Sequence, residues 1–448
     1  MKKLLSLMLA LALVLTSVAA LAEPYKTAFD VPATGKPFVM YAWNDEFQNM
    51  LKNYFIPAVG GEVKDDGTMV LPNGDTIEFV INPNDGGVYQ QKLDAALSAG
   101  EKIDMFLIEA DYALKYVNSD NTLPLKDVGI TEEMMADQYP YTIDVARDEN
   151  GVVKGTSWQA APGLFLYRRS LAEKLLSVKT PEEMQEKVKD WDTFLATARE
   201  VSKKSSGATK LIPSNGDVWQ VIRTVRKAPW VNKDMELNID EQVKWYFDFA
   251  KTLREENLTA NANPWSEAWN AGIGNDSILG YFFSTWGIQW VMTGNCGGSK
   301  PGEGTYGDWA AVNGPQPYYW GGTWLTAAKT CQNLPLAKAI MEYFTINPDA
   351  MKDYCLKSKD YVNNKTAIQS IIDGGFSFDF LGGQDHYALF QAVTPLIDTS
   401  TMSPYDQNIN IAMDEAVNAY STGEKDYDTA IQAFKDAVVD LYPEITVE

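Results

Sequence analysis

Hydrophobic and polar positions along this chain fall into two periods. Phe38–Ala42 (FVMYA) is a short apolar run that reads as a buried strand. Asn44, a residue type that caps helices, follows, and Phe47, Met50, Leu51 and Tyr54 then recur at helical spacing. Asp66-Gly67 and Asn73-Gly74 are turn signals around a short strand at 69–71, with another strand at Thr76–Ile81. A Gly-rich turn at 84–87 opens a helix carrying Tyr89, Leu93 and Leu97 that stops at Gly100, and residues 103–108 form the third main strand. The order strand, helix, strand, helix, strand implies an α/β fold with a parallel sheet and right-handed crossovers. Trp43, Asn44, Asp45 and Glu46 then follow the C-terminal end of one strand, and Glu109 and Asp111 the end of another. In open α/β sheets ligands dock at that edge.

Further along, 131–147 reads as helical, and 154–159 and 164–167 as extended pieces around Pro162-Gly163. Ser170 is expected to cap a helix through 175. Residues 191–201 form an amphipathic helix, 211–212 a short strand, Asn215-Gly216 a turn, and 239–256 a long helix with Val243, Tyr246, Phe249 and Leu253 as its apolar stripe. Helices follow at 334–344 and 348–356. Gly374-Gly375 and Gly382-Gly383 bracket a Phe-rich loop, and the C-terminus is helical at 384–397, 409–420 and Tyr427–Leu441. There is no internal repeat and no free linker. A chain of 448 residues exceeds one small domain, so two lobes interlock by more than one crossing.

One stretch stands apart. Seven of the 13 Trp lie between Trp265 and Trp324, many of them beside loop-forming Gly and Pro. Singly, such Trp fill cores. Together, flat indole faces with polar neighbours suit a ligand with apolar faces and a hydroxylated edge, such as a sugar ring.

Composition narrows the function. The net charge of −22 argues against nucleic acid and anionic membrane as partners. Lys2 and Lys3, the apolar run at 4–15 and Ala20-Leu21-Ala22 make a secretory signal peptide over residues 1–22, cleaved after Ala22, so the protein is expected in the periplasm or outside the cell. Cys296, Cys331 and Cys355 fit no zinc spacing, and none stands at the cleavage site to take a lipid anchor; they read as structural thiols. His386 is the only His, which excludes a multi-His metal site, and its place after Asp385 suits capping or packing. No nucleophile elbow, phosphate loop or zinc-protease motif occurs. Paired carboxylates have no fixed spacing, so Asp45, Glu46, Glu109, Asp111 and Asp385 leave a carbohydrate-active hydrolase open as an alternative; acids at helix starts also serve the helix dipole alone.

Several segments resemble the extracellular solute-binding proteins of carbohydrate ABC importers, the large group related to maltose-binding protein. They are WNDEF at 43–47, KIDMFLIEAD at 102–111, KGTSWQAAPGLFLYRRSLAEKLL at 154–176, DWDTFLATAREV at 190–201, and the strand, Gly-Gly turn and helix at 307–345. The resemblance implies a two-lobe, type II periplasmic-binding-protein-like α/β fold, each lobe a mostly parallel sheet flanked by helices, with added C-terminal helices. It places one lobe at 23–155 plus 320–360 and the other at 156–319 plus 361–448, with a cleft that closes by hinge motion. It implies sugar contacts at Trp43, Asn44, Glu46, Glu109 and Asp111 in the first lobe, at Trp158 and Gln159 in a crossing, and at Trp286, Trp320 and Trp324 for stacking, with Asp385 as a further candidate. It implies no catalysis, cofactor or metal, and a monomer that delivers sugar to a membrane permease. Many Gram-positive relatives carry a lipid-anchored Cys after the signal; this chain does not.

Overall fold

The computed structural model describes residues 25–447, so the expected signal peptide lies outside the described residues. Among the described residues ten strands build two sheets: β1 Phe38–Ala42, β2 Glu62–Val63, β3 Met69–Val70, β4 Thr76–Ile81, β5 Met105–Glu109, β6 Gly155–Ser157, β7 Gly163–Arg168, β8 Gly280–Ser284, β9 Trp309–Val312 and β10 Thr323–Ala327. The larger sheet runs β2-β3-β4-β1-β5-β10-β6 and the smaller β8-β7-β9.

The larger sheet has a parallel centre, because a helix returns the chain after β1 and again after β4. Met40 of β1 faces Phe79 of β4 and Met105 of β5 in parallel register. Both faces of this centre are covered, and β1 and β5 are accordingly almost wholly apolar. β10 arrives from far along the chain and inserts antiparallel between β5 and β6, with Trp324 opposite Ile108 on one side and Ser157 on the other. The buried Asp104 carboxylate locks this insertion: it accepts from the N–H of Val39 at 2.9 Å and of Gln332 at 2.8 Å.

The smaller sheet departs from expectation. Its strands pair antiparallel, β7 between β8 and β9, where a mostly parallel sheet was expected in each lobe. Parallel pairing appears beside it in the bridges Lys210–Ile278 and Ile212–Thr259. Three helical expectations also change. Residues 131–147 break into a turn at Glu133–Met135 and a helix Pro140–Val145, because Pro140 can open a helix but not continue one. Asn215-Gly216 starts a helix, Asn215–Ile222, with Ser214 and Asp217 forming a capping box. Ser170 lies inside the helix Arg169–Leu176 and bonds Asp308 instead of capping.

The chain passes between the sheets three times, near 157–163, 312–323 and 358–365, and the passages are bonded to one another. Gln159 bridges Val362, and Pro162 bridges Tyr319. Gly163 has no room for a side chain: a Cβ there would lie 2.0 Å from the Tyr318 ring, whose hydroxyl donates to Leu164 O at 3.0 Å. Asn363, fully buried, is the hub. Its amide donates to Thr142 Oγ1 at 2.8 Å and Ser157 O at 3.0 Å, and its carbonyl accepts from Tyr139 N–H at 3.0 Å.

Replacing Asn363 by Ala leaves several buried polar groups without partners. Asn363→Ala should lower the unfolding free energy by about 2–4 kcal/mol in a urea titration. A loss under about 1 kcal/mol would show that the crossings do not depend on this hub.

Candidate binding cleft

A cavity of about 890 Å³ opens between the strand ends of the larger sheet and the aromatic segment after β8. Three strand ends feed its first wall. β1 ends at Ala42, and Asn44 Oδ1 accepts from Glu46 N–H at 3.1 Å, turning the Glu46 carboxyl toward the space. β4 leads to Pro83 and Asn84. β5 ends in Glu109, whose carboxylate accepts from Asp111 N–H at 2.8 Å and so caps the short turn Ala110–Tyr112. Gln159, from the first passage, completes this side.

The opposite wall is indole. Trp286 and Trp320 meet edge to face at 5.3 Å, and Trp286 Nε1 donates to Trp320 O at 2.8 Å. Trp265 stacks on Trp286 at 5.9 Å with 13° between the planes. Trp320 is backed by Phe283 in a second stack at 5.7 Å. Gly321 and Gly322 follow with φ of 74° and 108°, and a Cβ at Gly322 would press to 3.2 Å from the Trp324 ring. Trp290 and Trp265 remain more than half exposed at the mouth.

The polar wall is short of positive charge. Burial, reinforced by Asp360 and Asp45, pushes the Glu46 carboxyl up to about 8. Burial and the neighbouring Asp111 raise Glu109 to about 8, although Asp111 N–H and the Arg223 charge oppose the shift. Arg223 donates to Asp111 Oδ2 at 2.8 Å. Because Arg223 follows the helix that packs on β8, this pair spans the cleft, as does Gln90 Nε2 to Gln407 Oε1 at 3.0 Å.

Eight of the residues expected at a site line this one cavity: Trp43, Asn44, Glu46, Glu109, Asp111, Gln159, Trp286 and Trp320. Three do not. Trp158 turns away from its neighbour Gln159 into the core, 1% exposed and stacked on Phe47 at 5.0 Å. Trp324 sits on a strand flanked on both sides, 2% exposed, its Nε1 donating to Thr142 O at 2.7 Å. Asp385 caps the helix His386–Val393, accepting from Tyr387 N–H at 3.0 Å and Ala388 N–H at 3.2 Å. His386 is fully buried among Phe and Tyr rings, and burial pushes it down to about 3. Sequence reasoning missed Asn84, Tyr112, Tyr354 and Gln407, which also line the cleft, and Asp360 and Arg223 behind it. Trp265 and Trp290 belonged to the Trp cluster, which was the available signal for them.

Two α/β bodies joined by three crossings around one cleft define a two-lobe, type II binding-protein fold, and solved structures agree. An extracellular solute-binding protein of family 1 matches with a TM-score of 0.75 and 17% identity, over 90% of this chain and 99% of that one. The galacto-N-biose-/lacto-N-biose I-binding protein of an ABC transporter from Bifidobacterium longum, solved with lacto-N-biose, gives 0.70 and 14%, covering 94% and 100%. An ABC transporter-associated binding protein from B. animalis subsp. lactis Bl-04, solved with β-1,6-galactobiose, gives 0.67 and 18%, covering 92% and 99%. At these identities the likeness concerns fold. The sequence itself supplies the family: the chain belongs to the bacterial extracellular solute-binding proteins, whose family model matches residues 73–372. No curated protein matches by sequence. Among the described residues no helix is long and apolar enough to cross a membrane.

The raised carboxyls set a pH dependence. For Glu46 and Glu109 the folded value, about 8, lies above the ordinary 4.5. The folded chain keeps these protons through that window while the unfolded chain has lost them, so their contribution to stability falls as pH rises from about 4.5 to about 8. Glu46→Gln and Glu109→Gln should therefore gain melting temperature relative to the parent as pH goes from about 5 to about 8, with little difference at the acid end. A difference that stays flat across the window would refute the shifts.

Proposed function

We propose that this exported protein is the receptor of an ABC importer, binding a sugar or oligosaccharide between its lobes and delivering it to the permease. One observation carries the reading: a single cavity is walled by the indoles of Trp286, Trp320 and Trp265 on one side and by carboxyls and amides on the other. Indole faces cover the C–H faces of a pyranose, while Glu46, Glu109, Asp111, Asn44 and Gln159 meet its hydroxyls. The lobes of this reading are the bodies around the larger and smaller sheets. Closing them removes water from both walls and strengthens each hydrogen bond inside. The bound sugars of the two bifidobacterial neighbours support the same class of ligand. The leader at residues 1–22, cleaved after Ala22, and a monomeric state belong to this reading too.

Two raised carboxyls at one cleft also favour a second reading, hydrolysis by an acid and base pair. Incubation with oligosaccharides separates the two, since a receptor returns its ligand uncut and a hydrolase leaves shorter products.

A thermal-shift screen against mono- and oligosaccharides tests the receptor. A true ligand at a hundredfold excess over Kd stabilises the folded chain by about 2.7 kcal/mol. Trp286→Ala should weaken that ligand by about tenfold or more, roughly 1.4 kcal/mol, with cooperative unfolding retained. Unchanged affinity in this variant would remove the indole wall from the mechanism.

A further inference from the structure

The cleft is lined by Asp45, Glu46, Glu109 and Asp111, and among the described residues no Lys, Arg or His lines it. The Asp111 end is partly compensated, since Arg223 pairs with Asp111 at 2.8 Å and its charge also acts on Glu109. The Glu46 end is not. Gln159 spreads one amide group over two acids, donating to Asp360 Oδ2 at 3.0 Å and to Glu46 Oε1 at 3.4 Å. Asp360 is fully buried and already accepts from Thr285 Oγ1 at 2.7 Å and Tyr361 N–H at 2.9 Å. Facing Glu46 are Asp45 on its own turn, Gln159 and Asp360 from the passages, and Tyr354 from a flanking helix, with Tyr54 lining the same cavity beside Tyr354. None is a cation, and Lys357, which lies over the Tyr54 ring, is held by Asp353 at 2.6 Å. Tyr112 lines the same cavity at the Glu109 and Asp111 end, and its enclosed hydroxyl has no hydrogen-bond partner among the described residues.

We propose that the sugar taken by this cleft carries a free amine, its ammonium group seated against Glu46. The proposal rests on the sugar-receptor reading above and names the substrate class of that site. An ammonium supplies the positive charge that three neighbouring acids lack, and its three N–H groups can serve Glu46 and Asp45 together. Trp43 and Tyr54 line the same cavity, and aromatic faces attract a cation. A uronic acid would instead add a carboxylate to a wall that already has too many. Binding also moves a proton. The empty site keeps Glu46 protonated up to about 8, the incoming ammonium favours its carboxylate, and the displaced proton leaves to the buffer.

Calorimetry on the whole protein tests this with glucosamine, galactosamine and the β-1,4-linked glucosamine dimer, each beside its N-acetylated and its unaminated counterpart. The expected result is that at least one aminated probe binds about tenfold or more tighter than both counterparts near neutral pH. In two buffers of different ionisation enthalpy at about pH 6, that probe should release protons and the neutral sugars should release none. Glu46→Gln should shrink the preference to below about threefold and abolish the proton release. Neutral or N-acetylated sugars binding as tightly as aminated ones, or a preference that survives Glu46→Gln, would overturn the proposal and leave the receptor reading standing. The wild-type comparison decides even if the variant fails to fold. No binding by any aminated or neutral saccharide, here or in the wider sugar screen, would sink the receptor reading itself.

Discussion

The carboxamide of Gln159 ties the two sheet bodies to the floor of the cleft. It donates to Asp360, which Thr285 of the smaller-sheet body also holds, and it reaches Glu46 at the strand end of the larger sheet. One side chain in a crossing therefore touches both bodies and the cleft. Its own position is set by the Gln159–Val362 bridge, and the neighbouring passage is pinned by Asn363 N–H to Trp158 O at 2.8 Å. A buried acid such as Asp360 is costly unless its acceptors are filled, and here three donors fill them. A change in the angle between the bodies must keep the Thr285 bond or leave Asp360 one donor short. The floor of the cleft is thereby tied by hydrogen bonds to both sheet bodies.

The cavity-lining groups sit on different segments yet form one wall. Glu46 and Glu109 come from the ends of parallel strands, which a twisted sheet brings to a common edge. Trp286 comes from the other body, and its indole N–H closes on the Trp320 carbonyl in the second crossing. Arg223 crosses the gap to Asp111 and brings a full positive charge to the acidic edge. The cleft is thus shaped by contacts between bodies as much as by either sheet.

Periodicity made the elements legible where local pattern decides them. β1, β4 and the final helix Tyr427–Leu441 have the ends that their apolar spacing predicts. The strand-end acids and the Trp cluster were legible for the same reason. What was not legible turns on parity and on distance. Trp158 and Gln159 are neighbours on an extended segment and point to opposite sides, as do Thr323 and Trp324; in each pair one residue lines the cleft and the other enters the core. Composition cannot choose between them, because a slip of one residue exchanges the faces. Asp360 and Arg223 find their partners 201 and 112 residues away, beyond any window of sequence spacing. The antiparallel pairing in the smaller sheet has the same cause, since β7 meets strands contributed more than a hundred residues later.

The Trp cluster holds two populations, which burial and position at the cavity separate. Trp269, Trp309 and Trp324 are enclosed, and their ring nitrogens donate to Asp217, Thr305 and Thr142. These serve the fold. Trp265 is the opposite case: its φ is +71°, a conformation that a bulky L residue rarely adopts, and the ring is 54% exposed. Such a backbone costs on the order of 1–3 kcal/mol, and a half-exposed indole recovers only part of that from burial. What the strain achieves is placement, since the ring lies nearly parallel to Trp286 and extends the indole surface toward the mouth. A platform maintained against local preference, facing a row of acids, accords with a protein whose stability is spent in part on holding a ligand.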